Sequence, residues 1–260
     1  MEVLILIGFI LAWIFGATFW KYINQPGFSF SFSEKQLEPG RVAILESYFP
    51  YYLGLKPEQQ REFQIRVSKF IADKEFIPRG MPSVTEEMKV LIAATAVQIT
   101  FGFIPLTFKY FRYIVIYPDS FYSVKGQNYH KGEVNPGDQA IALSWKSFAQ
   151  TMGLRDGKNL GLHEMAHALR IENVIKNKEF GFLNRYQLAK WEVFALREIK
   201  RIRNEGESIF RRYAATNEEE FFAVSVEVFF EIPEKFLEYH PELYALMAKL
   251  LNQNPMKSYA

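Results

Sequence analysis

The chain has no cysteine and only four histidines in 260 residues. Without cysteine there can be no disulfide, no thiolate metal site and no cysteine nucleophile. A surplus of charge is also missing: 31 Lys and Arg stand against 29 Asp and Glu, a formal net charge of +2. That is too small to drive nucleic-acid binding. The stretch LTFKYFRYIV does interleave Lys109 and Arg112 with aromatics, but no basic cluster accompanies it. A buried strand with flanking cations accounts for it, and nucleic acid is not expected as a partner. What is present in quantity is apolar: 49% hydrophobic residues, with 25 Phe and 14 Tyr. Such a chain suits a well-packed globule of one sizeable domain or at most two.

The N-terminus differs in kind. Val3 to Trp20, VLILIGFILAWIFGATFW, carries no charge. Eighteen such residues at about 1.5 Å each approach the ~30 Å hydrocarbon core of a bilayer. Trp20 and Tyr22 are placed to sit at one interface. Glu2 stands where a cleaved signal peptide would carry basic residues, so a retained anchor is expected. Glu2 before the segment and Lys21 after it favour a cytoplasmic body by the positive-inside rule. The expected organisation is a transmembrane anchor over 1–23, a juxtamembrane linker over 24–40 rich in Pro and Gly, and one domain over 41–260. Within the linker, Phe28, Phe30 and Phe32 alternate with serine, a period of two that presents one aromatic face, as in an edge strand.

In the body, the spacing of Phe63, Val67 and Phe70 predicts a helix after Pro57. Ser83-Val-Thr-Glu86 is a capping-box pattern opening a second, apolar and therefore central helix that ends near Gly102. RYIVIYP (112–118) and QAIALSW (139–145) predict strands, with a long polar loop over 119–138. From about 156 onward the pattern is helical, with segments over about 185–206, 217–231 and 234–252. Strands and helices followed by helices alone indicate an α+β fold.

Against this background LHEMAHAL stands out. His163 and His167 are four apart, hence one turn apart on one helix face, and can aim two imidazoles at one ion. Glu164 is offset by one residue, where it can reach a metal-activated water as general base. Leu162, Met165, Ala166 and Leu169 supply an apolar side on which the helix can pack. A third ligand is needed for a catalytic zinc. His130 and His240 lie in polar stretches and read as ordinary surface residues. Arg170 and Asn173 occupy the places where a companion glycine and a further ligand histidine would be sought. A carboxylate is therefore expected.

The best stretch for it is TNEEEFFAVSVEVFFEIP (216–233). With Thr216 as N-cap, Glu218 and Glu219 are explained by the helix start. Glu220 and Glu227, seven apart in an aromatic run, then need a partner or a metal. Glu220 is the choice for ligand, and Glu227 for the acceptor of a histidine N–H. Asn217 as N-cap would instead give Glu220 the capping role, so spacing leaves Glu227 and Glu192 open as ligands.

LHEMAHAL together with YAATNEEEFFAVSVEVFFEIP resembles the MtfA family of zinc metallopeptidases, whose second motif, Tyr-Ala-Ala-Thr-(Asp/Asn)-x-x-Glu-x-Phe-Ala-Val, falls on Tyr213 to Val224. The resemblance spans roughly residues 55–255. It implies a zincin-like, gluzincin-type peptidase domain with zinc held by His163, His167 and Glu220, Glu164 as base, and Tyr213 as a candidate for oxyanion stabilisation. It also implies a peptide or protein substrate and a possible regulatory protein partner. Soluble members lack the N-terminal anchor, which puts the carry-over of their cytosolic repressor partner in doubt. Strand 139–144 is a candidate edge for binding an extended peptide. The alternative is a membrane-anchored, zinc-containing binding module that sequesters a regulator with little or no hydrolysis.

Overall fold

A computed structural model describes residues 36–103, 108–123, 126–176, 182–206 and 208–258. They belong to the larger of two units into which the chain divides, Lys35–Ala260. The hydrophobic stretch Val3–Trp20 and the Phe28–Phe32 alternation lie outside the described residues. Among those described, no helix is long and apolar enough to cross a membrane.

The described chain is mixed α and β, mostly helical with a small sheet. Helices α1 (Pro39–Tyr48), α2 (Pro50–Leu53) and α3 (Pro57–Asp73) come first. Each begins with proline, whose fixed φ and missing N–H suit the first helical position. Helix α1 takes in Pro39 and Gly40, so helical structure begins within the stretch read as linker. α3 buries Phe63, Val67 and Phe70 as their spacing requires.

After β1 (Glu75–Pro78) comes α4 (Glu86–Thr100), buried from Val90 to Thr100. It is central, as its apolar sequence indicates. Its N-cap is Thr85, whose side chain accepts from Met88 N, and not Ser83. Glu86 is thereby released from capping and pairs with Arg41 and Lys89.

The sheet has the order β1-β2-β6-β5, with β2 at Tyr113–Tyr117, β6 at Ala140–Ser144 and β5 at Gly132–Asn135. β1, β2 and β6 run parallel; β5 runs antiparallel to β6. Ile114, Ile116, Ile141 and Leu143 are fully buried on one face, and their neighbours in sequence turn to the other, as the two-residue period demands. Two expectations fail here. β6 is paired on both sides, so it is not an edge; β5 is the edge strand beside it among the described residues. And 119–138 is not simply a loop, because it holds β5 and the hairpin β3 (Phe121–Ser123) with β4 (Asn128–His130). These strands are three or four polar-rich residues long, too short to show an apolar alternation.

The rest is helical: α5 (Trp145–Thr151), α6 (Leu160–Lys176), α7 (Arg185–Glu205), a short 3-10 turn at Arg212–Ala215, α8 (Glu218–Glu231), α9 (Pro233–Tyr239), α10 (Pro241–Leu251) and α11 (Pro255–Ser258). The expected single helix over 234–252 is broken at His240, because Pro241 lacks the N–H and disfavours helical geometry in the residue before it. α6 packs against α4 and α8 and lies under β5, burying Leu162, Met165, Ala166 and Leu169 completely.

Gly102, just past α4, is approached so closely by the backbone of Leu251 and Asn252 that a Cβ there would overlap it. Gly102→Ala should therefore cost about 1–3 kcal/mol, by the usual scale of overpacking. Gly40 meets nothing, and Gly40→Ala should be neutral or stabilising by up to about 1 kcal/mol. Urea denaturation of the two variants measures the contrast.

Candidate metal centre

α6 begins at Asn159, whose Oδ1 accepts from Leu162 N. One turn further in, His163 and His167 project from the same face, with ring planes at 83° and Nε2 atoms 3.2 Å apart. α8 crosses α6 and brings Glu220 to them. Its Oε2 lies 3.1 Å from His163 Nε2 and 3.6 Å from His167 Nε2. The helix start that sequence left open is decided here. Asn217 is the N-cap and its side chain accepts from Glu220 N. The expected cap, Thr216, is not used; Glu220 therefore holds the position from which a carboxylate can reach back to the cap, yet its Oε2 turns to the imidazoles instead. Glu192 on α7 is not part of this group, and neither His130 nor His240 joins it.

Glu227 stands two turns along α8 and is almost wholly buried. Its Oε1 lies 2.7 Å from His163 Nδ1. Arg211 grips the same carboxylate with both arms, Nη2 to Oε1 at 2.6 Å and Nη1 to Oε2 at 3.0 Å. The backbone N–H of Asn159 completes it, donating to Oε2 at 2.7 Å. With Nδ1 donating to Glu227, His163 presents a lone pair at Nε2.

The donor set fits a cation. Glu220 Oε2 is buried with no aligned hydrogen bond, and two imidazole nitrogens face it and each other. Acceptors gathered this way repel unless a proton or a metal lies among them. Two nitrogens and one carboxylate oxygen, within 4.8 Å of one another, form the group that can hold a metal ion. In the metal-free chain protons do this work. Burial pushes His163 down, but Glu220 and Glu227 outweigh it and raise its pKa to about 9. Burial pushes Glu220 up, but the two imidazoles hold it far below the usual carboxylate range.

Glu164 is buried beside this group, and burial raises its pKa to about 7 against the pull of His163 and His167. It is pressed against the edge strand: a Cβ on Gly132 of β5 would overlap its carboxylate. Tyr213, on the 3-10 turn, is half exposed, its ring centroid 6.1 Å from that of His163. Burial and the nearby Glu220 raise its phenol to about 12.

A family model for glucose-regulated metallo-peptidases, M90, matches residues 29–251. The chain belongs to this metallopeptidase family. An uncharacterized protein of Synechocystis is 28% identical to it over 97% of this chain and 96% of the relative. Proteins called Mlc titration factor A from Yersinia pestis and Yersinia pseudotuberculosis are 26% identical over 77% of this chain and 80% of theirs. Membership implies a metal ion, and among the described residues His163, His167 and Glu220 form a group that could hold one.

The sequence reading did not find Arg211, Asn159 or Gly132. A buried Glu227 calls for a cation, but Arg211 and Arg212 are adjacent and no periodicity chooses between them. Asn159 had a signal, an Asn three residues before Leu162 at a helix start. Gly132 had none.

Glu227→Ala should lower metal affinity about 10- to 100-fold, the usual effect of removing a histidine's outer partner; competition against a chromophoric chelator measures it. The metal-free chain should also lose stability as pH rises from about 6 to about 9.5. His163 and Glu164 both bind their protons more tightly folded than unfolded, from reference values of 6.5 and 4.5. The His163 contribution is therefore nearly full at the acid end of that window and lost as pH passes about 9, while that of Glu164, full only below about 4.5, is already shrinking there and gone above about 7. Thermal melts in excess chelator at the two pH values test this.

Proposed function

We propose that this chain is a zinc-dependent peptidase of gluzincin type, with zinc held by His163, His167 and Glu220. The observation that carries the reading is a buried carboxylate, Glu164, next to two imidazoles and a second carboxylate, Glu220, that face one another. Nitrogen and oxygen donors in a chain without cysteine suit zinc. Bound there, zinc would polarise the scissile carbonyl and make a water molecule acidic enough to lose a proton near neutral pH.

Glu164 is the general base and then the acid. Its near-neutral pKa lets it take a proton from the attacking water and return it to the leaving amine. Arg211, Asn159 and Glu227 hold His163 in one tautomer and one orientation. Tyr213, half exposed beside His163, supplies an O–H donor for the oxyanion that develops on the scissile carbonyl. Its raised pKa keeps that proton available. The peptide lies in extended form along β5, pairing with its free edge, in place of the interior strand 139–144 first considered. Gly132 keeps the backbone of that edge against Glu164. The domain is tethered to a membrane by Val3–Trp20, with its body on the cytoplasmic side.

A second reading is suggested by relatives called Mlc titration factor A: a zinc-containing module that sequesters a regulatory protein. A buried Glu164 with a tuned pKa counts against it, since a structural metal needs no base.

Glu164→Gln should retain zinc by atomic absorption while cleavage of a peptide library falls at least about 100-fold. Tyr213→Phe should reduce kcat by about 10- to 100-fold with little change in KM. Undiminished turnover in Glu164→Gln sinks the assigned base. Absence of chelator-sensitive cleavage by the wild-type chain favours the sequestering module.

A further inference from the structure

Helix α7 has an outer face that the peptidase reading leaves unused. Its inner side is accounted for by Trp191, Ala195, Ile199 and Ile202, all buried. Opposite them, at helical spacing, stand Tyr186, Val193 and Leu196, which are 64%, 49% and 54% exposed. Lys190, Arg197 and Lys200 are exposed on the same face. At 100° per residue these six side chains fall within one third of the helix circumference, and no acidic residue shares that arc. Glu192 lies to one side and is half-buried, and Glu198 is buried and held by Arg201 and Ser208. Among the described residues no carboxylate pairs with Lys190, Arg197 or Lys200. Lys190 lies over the Tyr186 ring at 4.4 Å, and Lys249 of α10 is near enough to Tyr186 to act on its phenol along with Lys190.

We propose that this face of α7 binds an anionic lipid surface. Aliphatic and tyrosine side chains interleaved with long cationic stems match the interface between acyl chains and charged headgroups. The unpaired cations are complementary to anionic headgroups, each contributing about five-fold to surface affinity. Three apolar side chains alone would bind weakly. The same chain carries the uncharged stretch Val3–Trp20, however, and a tether raises the local concentration of the face at the bilayer. The proposal uses the anchor reading for that proximity and is independent of the zinc site. Its consequence is an orientation: docked through α7, the domain meets its substrates in a fixed pose relative to the membrane.

The absence of cysteine makes the test direct. Leu196→Cys in the full-length chain gives a single site for an environment-sensitive fluorophore. The labelled protein is combined with phosphatidylcholine vesicles, with or without phosphatidylglycerol. Emission should shift to the blue, and become quenchable by spin-labelled lipid, only where phosphatidylglycerol is present. The shift should vanish in high salt and in the Lys190→Glu, Arg197→Glu, Lys200→Glu variant. Losing three cations lowers the docking constant roughly a hundred-fold. Flotation with phosphatidylcholine alone reports the anchor separately. No shift with phosphatidylglycerol, or the same shift in both lipids, overturns the proposal.

Discussion

The candidate centre depends on the satisfaction of one buried carboxylate, Glu227. In an aromatic helix interior it would be too costly to keep without partners. It has three: the His163 imidazole, the Arg211 guanidinium and the Asn159 backbone N–H. His163 and Asn159 belong to α6 and its cap and Arg211 to the segment before the 3-10 turn, so Glu227, on α8, ties these three parts together at one point. The orientation of His163, and hence the lone pair it offers at Nε2, follows from that junction. Asn159 extends it: its side chain caps α6 through Oδ1 and donates to Glu231 from Nδ2. The helix that carries both imidazoles is thus fixed at its start by the same residues that fix the first of them.

A second constraint comes from the sheet. β5 passes over α6 with no room for a side chain between Gly132 and Glu164. The edge strand and the general base proposed here are therefore neighbours through backbone contact. The face of the sheet that carries Ile114, Ile116, Ile141 and Leu143 is closed by helices, which leaves α6 rigidly backed.

Much of the centre was legible in the sequence, because it is written in helix periodicity. Four residues separate His163 from His167 and seven separate Glu220 from Glu227, and an α-helix turns each pair to one side. The cap of α8 was ambiguous between Thr216 and Asn217. The structure uses Asn217, the cap that would have given Glu220 the capping role, and the Glu220 carboxylate still faces the imidazoles, a choice made by the helix packed opposite and not by the cap. Arg211 and Gly132 lie in a loop and in a four-residue strand, where no repeat marks which way a side chain faces. The placement of β6 inside the sheet was likewise illegible, since Ala-Ile-Ala-Leu-Ser suits an edge or an interior strand equally well.

By itself, then, the sequence determined which groups share a helical face: two imidazoles on one turn, two carboxylates on another helix, and an apolar side beneath each. Those relations are local, set by 3.6 residues per turn and by burial of the apolar stripe. Only the tertiary structure decided that the two helices cross with Glu220 facing the imidazoles, that Arg211 rather than Arg212 grips Glu227, and that β5 forms the edge over Glu164. These are choices among non-local pairings. They are settled by the combined packing and hydrogen bonding of segments far apart in the chain, for which no single segment carries a code.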